Sequence, residues 1–165
     1  MDQGAHFNCC DLQAHTPRDR QWSGDCPVAE EDRRTFAREF IAACRTKGLN
    51  AVGITDHHDL AFYSYIRDAA ASETDENDQL IDADRRIVVF PGIEVTISLP
   101  CQALVLFDPN IEGEALSRVL VALGIEAAPP EAPKANQVVR LPGDLDDLHE
   151  RRSEERRVGK ECRSR

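Results

Sequence analysis

Short apolar runs alternate with stretches of helical periodicity along the chain as far as Ile125. The sharpest run is Ala51–Ile54, with Gly48 just ahead and the polar cluster Thr55, Asp56, His57, His58, Asp59 directly behind. A short apolar run that ends abruptly in polar residues is the pattern of a buried parallel strand. Residues 30–47 predict a helix. Acidic residues crowd its start, Phe36, Phe40, Ala43 and Cys44 recur at helical spacing, and Arg45 and Lys47 precede the stop at Gly48. A second helix is expected over about 60–71, with Phe62, Ile66, Ala69 and Ala70 on one face. A third, over 112–123, turns Leu116, Val119, Leu120 and Leu123 inward and stops at Gly124. Residues 6–11, 87–90 and 103–107 read as further strands. Strands alternating with helices predict an α/β fold with a largely parallel sheet, whose chemistry lies at the carboxyl ends of the strands.

The intervening stretches are plainer. Residues 18–27 form a polar loop whose Trp22 is expected to pack, and 72–84 read as an acidic, solvated connector. Beyond Ile125 the pattern changes: 127–135 are rich in Pro, Ala and Glu and read as a linker. Asp144 is placed to cap a new helix carrying Leu145 and Leu148. Residues 152–165 resemble the literal translation of a sequencing-library adapter and are expected to be a non-native tail. The domain reading is therefore residues 1–126 as one α/β unit, 127–151 as linker and start of a helix, and 152–165 as tail.

Composition sharpens this picture at two points. The net charge is −10, but residues 152–165 carry six of the 20 basic and three of the 30 acidic residues, leaving the rest at −13. Such a body does not coat nucleic acid by charge alone, although divalent cations held in it could bring a phosphate substrate in. Of the six cysteines (9, 10, 26, 44, 101 and 162), none forms a Cys-x-x-Cys pair. Cys9, Cys10, Cys44 and Cys101 stand among apolar neighbours and read as small core residues. No apolar run approaches the ~20 residues of a membrane span, and no signal peptide is evident, so a cytoplasmic protein is expected.

Three predicted strand ends carry metal-capable side chains: Asp11 and His15, then Asp56 and His57, then Glu94. Imidazole and carboxylate are the ligands of Zn, Mn and Fe, and carboxylates also suit Mg. The segments Asp11-Leu12-Gln13-Ala14-His15-Thr16, Ile54-Thr55-Asp56-His57 and Pro91-Gly92-Ile93-Glu94 follow one another in order. Together they resemble the motifs of the PHP (polymerase and histidinol phosphatase) family: Asp-x-His-x-His, Thr-Asp-His and Pro-Gly-x-Glu. The resemblance covers residues 6–125 and is nearest to the PHP modules at the head of large bacterial proteins with an ATPase domain.

This resemblance implies a distorted, TIM-like (βα) barrel of seven strands, of which the chain holds about four as an amino-terminal fragment. It implies a site of two or three divalent metal ions (Mn, Zn, Fe or Mg) hydrolysing a phosphate ester, with a nucleotide or nucleic acid among the candidate substrates. Position by position, His15, His57 and Glu94 match metal ligands, Glu94 as a bridging carboxylate. Asp11 and Asp56 match supporting catalytic positions that orient ligands or accept protons. Gln13 stands where the family has its first metal His, and Gln102 where a further His often precedes the next strand. Gln13, Gln102 and His58 are thus weak or degenerate ligand candidates, and His149 is not expected to bind metal. The later family motifs are expected beyond residue 150. Three functions follow: a metal-dependent phosphoesterase, a catalytically degenerate PHP module serving a larger ATPase protein, or an amidohydrolase on a related barrel. Gln13 breaks the His-x-His that the last requires. No phosphate-cradling Gly-x-x-x-x-Gly-Lys-Ser/Thr loop is present.

Overall fold

Gly48 and Gly124 end their helices as the periodicity predicts, at φ of +71° and +70°. Both sit where L side chains are strained. Around these stops the chain, described by a computed structural model for residues 7–97, 101–138, 140–143 and 146, forms a mixed α/β fold. Its elements are β1 (Cys10–Ala14), α1 (Glu30–Thr46), β2 (Ala51–Ile54), α2 (Tyr63–Ala71), β3 (Val88–Ile97), β4 (Gln102–Leu106), α3 (Gly113–Ala122) and β5 (Arg140–Leu141). The five strands make one sheet in the order β1-β2-β3-β4, with β5 also on β3. β1, β2 and β3 run parallel, β4 is antiparallel to β3, and β5 parallel to it. The expected helix at Asp144, the tail at 152–165 and His149 lie outside the described residues, Asp146 excepted.

β2 is the centre of the fold and matches its expected bounds, with all four residues buried. Ile54, Ile66, Ile93, Val95 and Ile97 are at most 2% exposed and join α1, α2 and α3 in one apolar core. Burying side chains of this size stabilises by about 1.5–3 kcal/mol each. α1 has the expected length but a different inner face. Arg33, Ala37, Ile41 and Cys44 are buried, whereas Ala43 is exposed and Phe36 and Phe40 are half-buried. Small residues let the helix sit close to its neighbours, and the two phenylalanines pack from its flank. Phe36 meets Trp22 and Phe62 edge-on, with ring centroids 5.9 and 5.5 Å apart. Trp22 packs, as expected.

β3 is much longer than the strand expected at 87–90. It pairs with β2 from Val88 to Pro91 and with β4 from Gly92 to Thr96. The change of partner falls at Pro91-Gly92. Pro91 has no N–H to give a ladder, but its carbonyl accepts the Phe107 N–H at 2.8 Å. A Cβ on Gly92 would stand 2.7 Å from Leu106 Cδ2 and 2.9 Å from both Thr55 Cγ2 and the Val105 carbonyl oxygen. Only glycine fits that approach. Glu94 consequently lies inside a continuous strand, just past the point where β2 ends.

The first strand is displaced from 6–11 to Cys10–Ala14 and is exposed over most of its length. Cys9 and Cys10 are exposed and Cys101 half-buried, so of the four cysteines expected in the core only Cys44 is fully there. The apolar neighbourhood misled because β1 ends the sheet order, paired among the described residues with β2 alone. The Pro- and Ala-rich stretch 127–135, read as a linker from composition, lies against the body, with Ala128 and Ala135 buried. The acidic stretch 72–84 is largely exposed, as expected of a solvated connector. Among the described residues, no helix is long and apolar enough to cross a membrane.

Candidate metal centre

The polar residues that follow β2 are buried, against the usual habit of loops. Thr55, Asp56, His57, His58 and Asp59 are each no more than 2% exposed. They are held because the strand ladder continues irregularly beyond Ile54. The Glu94 N–H reaches the Asp56 carbonyl at 3.2 Å, and His57 bridges to Glu94 in parallel register. On the other side the Thr55 N–H reaches the Ala14 carbonyl at 2.9 Å. The ends of β1 and β2 and the middle of β3 therefore meet at one place.

His15, His57 and Glu94 converge there, with ligand atoms all within 4.8 Å of one another. His15 Nε2 lies 3.4 Å from Glu94 Oε2, and His57 Nε2 lies 3.5 Å from Glu94 Oε1. The two imidazoles stack at 5.2 Å with planes 9° apart. His57 and Glu94 are buried, while the His15 side chain keeps 30% of its surface and leaves the group open on one side. Two imidazoles and a carboxylate, accessible from one side, form a donor set that fits a divalent transition ion.

Asp19, in the loop after β1, sets the tautomer of this site. Its Oδ2 accepts both the His57 backbone N–H at 2.8 Å and the His57 Nδ1–H at 2.9 Å. A carboxylate only accepts, so Nδ1 carries a proton and Nε2 is the ring nitrogen turned toward Glu94. Burial opposes ionisation of Asp19, but the His57 and Gln21 N–H donors and the His57 ring outweigh it and hold the carboxyl below its ordinary value. His15 Nδ1 also lies 3.0 Å from Asp19 Oδ2, without hydrogen-bond geometry. With Asp56, these two residues make a second candidate group, His15, Asp19 and Asp56.

Asp56 is differently occupied. Its two oxygens accept the Thr16 N–H at 2.6 Å and the Thr16 hydroxyl at 2.5 Å. Burial pushes its carboxyl up to about 7, against the pull of these two bonds, and the charges of Asp19 and Asp59 add to the rise. It clamps the turn that brings Asp19 beneath His57. Asp11 is exposed, accepts the Gln13 N–H at 3.2 Å and enters neither group. An extra residue in β1 between Asp11 and Ala14 interrupts the strand's alternation between them.

The reserve positions divide. Gln13 Nε2 donates to Glu94 Oε2 at 3.0 Å, and Gln102 Nε2 lies 3.2 Å from His57 Nε2, so both reach the group. His58 does not. It takes a left-handed φ of +55°, is buried, and its Nε2 has no partner. Burial, then the neighbouring His57, lowers its pKa. Two residues that sequence reasoning missed also belong here: Asp19, and Gln21, whose Nε2 lies 3.4 Å from His57 Nε2. The available signal was an Asp four residues after His15, just past Pro17.

The loop carrying Asp19 is itself fastened from far along the chain. Lys134 Nζ donates to the carbonyls of Asp19 at 2.8 Å and Trp22 at 2.7 Å. Arg18, fully buried, donates through Nε and Nη2 to both Asp59 oxygens and through Nη1 to the carbonyls of Pro129, Pro130 and Ala132. Arg33 donates to Pro130 and Ala132 from α1. No protein-family model matches the chain, and no curated protein matches it.

Proposed function

We propose that the chain is a metal-dependent phosphoesterase of the PHP type. The observation that carries this reading is the convergence of His15, His57 and Glu94 with the His57 ring locked by Asp19. In this reading the sheet is part of a distorted, TIM-like (βα) barrel, the protein works in the cytoplasm, and an ATPase domain belongs to the same full-length chain. The substrate is a phosphate ester, with nucleotides and nucleic acids the first to try.

His15, His57 and Glu94 would hold the ion, and a divalent ion there supplies Lewis acidity toward a phosphoryl oxygen and toward water. Asp19 keeps the His57 proton on Nδ1, so Nε2 stays a ligand atom throughout. Glu94 spans the two imidazoles, one carboxylate oxygen toward each. Thr16 engages both Asp56 oxygens, so Asp56 supports the turn before it can accept a proton. His15 and the exposed Gln13, Gln21 and Gln102 border the open side by which a phosphate would enter.

One observation favours the second reading, a degenerate module that binds or regulates within a larger ATPase protein. The Gln13 and Gln102 carboxamides lie on the ligand atoms Glu94 Oε2 and His57 Nε2, where a third and fourth imidazole would serve a catalytic cluster better. The experiment separating the two is hydrolysis of a panel of phosphomonoesters and phosphodiesters by the dialysed full-length protein with Mn, Zn, Fe or Mg added. The enzyme reading expects turnover with at least one ion, lost in His57→Ala. Metal uptake without turnover on any ester would leave the binding reading in its place.

A further inference from the structure

Three carboxamides ring the ligand atoms of the candidate centre. Gln13 reaches Glu94 Oε2 at 3.0 Å from β1, Gln102 reaches His57 Nε2 at 3.2 Å from β4, and Gln21 reaches the same nitrogen at 3.4 Å from the loop after β1. All three are exposed, whereas His57 and Glu94 are buried, so the carboxamides form the outer wall of the site. Their convergence from three separate segments is not a property of any one element. A carboxamide carries both a donor and an acceptor, and half a turn about its last bond exchanges them. Each turns its carboxamide nitrogen toward a Glu94 oxygen or His57 Nε2. Facing a cation held by those same atoms, each would present its oxygen.

We propose that Gln13, Gln21 and Gln102 complete an oxygen-rich shell about an ion held by His15, His57 and Glu94, and so bias the site toward a hard six-coordinate ion such as Mn2+ rather than Zn2+. The inference rests on the metal-centre reading and names the class of ion. Its chemistry is that of the donor set. Two imidazole nitrogens, a carboxylate and neutral carbonyl-type oxygens suit Mn2+ and its hard relatives, whereas additional imidazoles would favour Zn2+. The glutamines at 13 and 102 then set selectivity, and the departure from the family pattern becomes functional.

The test is calorimetric titration of the metal-free full-length protein with Mn2+ and with Zn2+. The wild type is compared with the double variant Gln13→His/Gln102→His, the triple variant Gln13→Ala/Gln21→Ala/Gln102→Ala, and Glu94→Ala. The double variant is expected to raise the Zn2+-to-Mn2+ affinity ratio, and the triple variant to weaken Mn2+ by about tenfold, the scale for residues that tune a metal site. The single variant Gln21→Ala, on an exposed loop residue, should weaken Mn2+ in the same sense and covers the case of a triple variant that misfolds. Unchanged Mn2+ affinity in the Gln→Ala variants, with Glu94→Ala abolishing binding, would overturn this inference and leave the metal centre standing. A wild-type chain that takes up neither ion would overturn both.

Discussion

The inner and outer walls of the candidate centre are built on opposite principles. Inside, Thr16, Asp19, Asp56 and Asp59 are no more than 2% exposed, and every carboxylate among them is bonded to a named donor. Outside, three exposed glutamines touch the ligand atoms through single carboxamide contacts. Buried charges are tolerated only when paired, so the inner wall admits few substitutions without loss of fold. The rim has no such constraint. It can change its donors, and with them the chemistry of the site, while the fold persists.

The largest break in that comparison is expected at the inner wall. Arg18→Ala strips Asp59 of its bidentate partner and leaves an uncompensated buried carboxylate, so the chain should lose about 3–5 kcal/mol in denaturant unfolding. A loss well under that would mean the pair is not closed off from water. Next comes Asp19→Asn. Chain folding should survive, but the His57 tautomer loses its anchor, and metal affinity by titration should fall about 10- to 100-fold. Lys134→Met should do less, on the order of 1–3 kcal/mol in the same unfolding assay, because two buried-side carbonyls lose their shared donor. If instead it leaves stability unchanged, the 127–135 stretch is a linker after all. The smallest effect sharpens the same contrast of open and closed faces. Cys9 and Cys10 should alkylate rapidly in the folded chain, whereas Cys44, buried and with its thiol pushed up by burial, should react only on unfolding.

How much of this was legible depends on whether the cause was local. β2 and its polar sequel were readable because four apolar residues and five polar ones adjoin in sequence, and helix α1 because its charges and stop are local. The inner face of α1 was not, since Ala43 and Ala37 look alike until the flank contacts of Phe36 decide the rotation. The length of β3 was hidden because Pro91 usually ends a strand, whereas here the strand changes partner at that residue. His15, His57 and Glu94 were found by residue type and order. Asp19 was not, because its place under His57 depends on a fastening by Lys134 from 115 residues away. The same distance hid the role of 127–135, which is held by the Pro129, Pro130 and Ala132 carbonyls together with the Lys134 side chain.

The central claim is that His15, His57 and Glu94 act together as one ion site, and direct titration of Mn2+ into the metal-free chain tests it. One saturable site in the wild type, lost in His57→Ala and in Glu94→Ala while both variants keep their secondary structure, is the result the account predicts. Full metal uptake by both folded variants would contradict it.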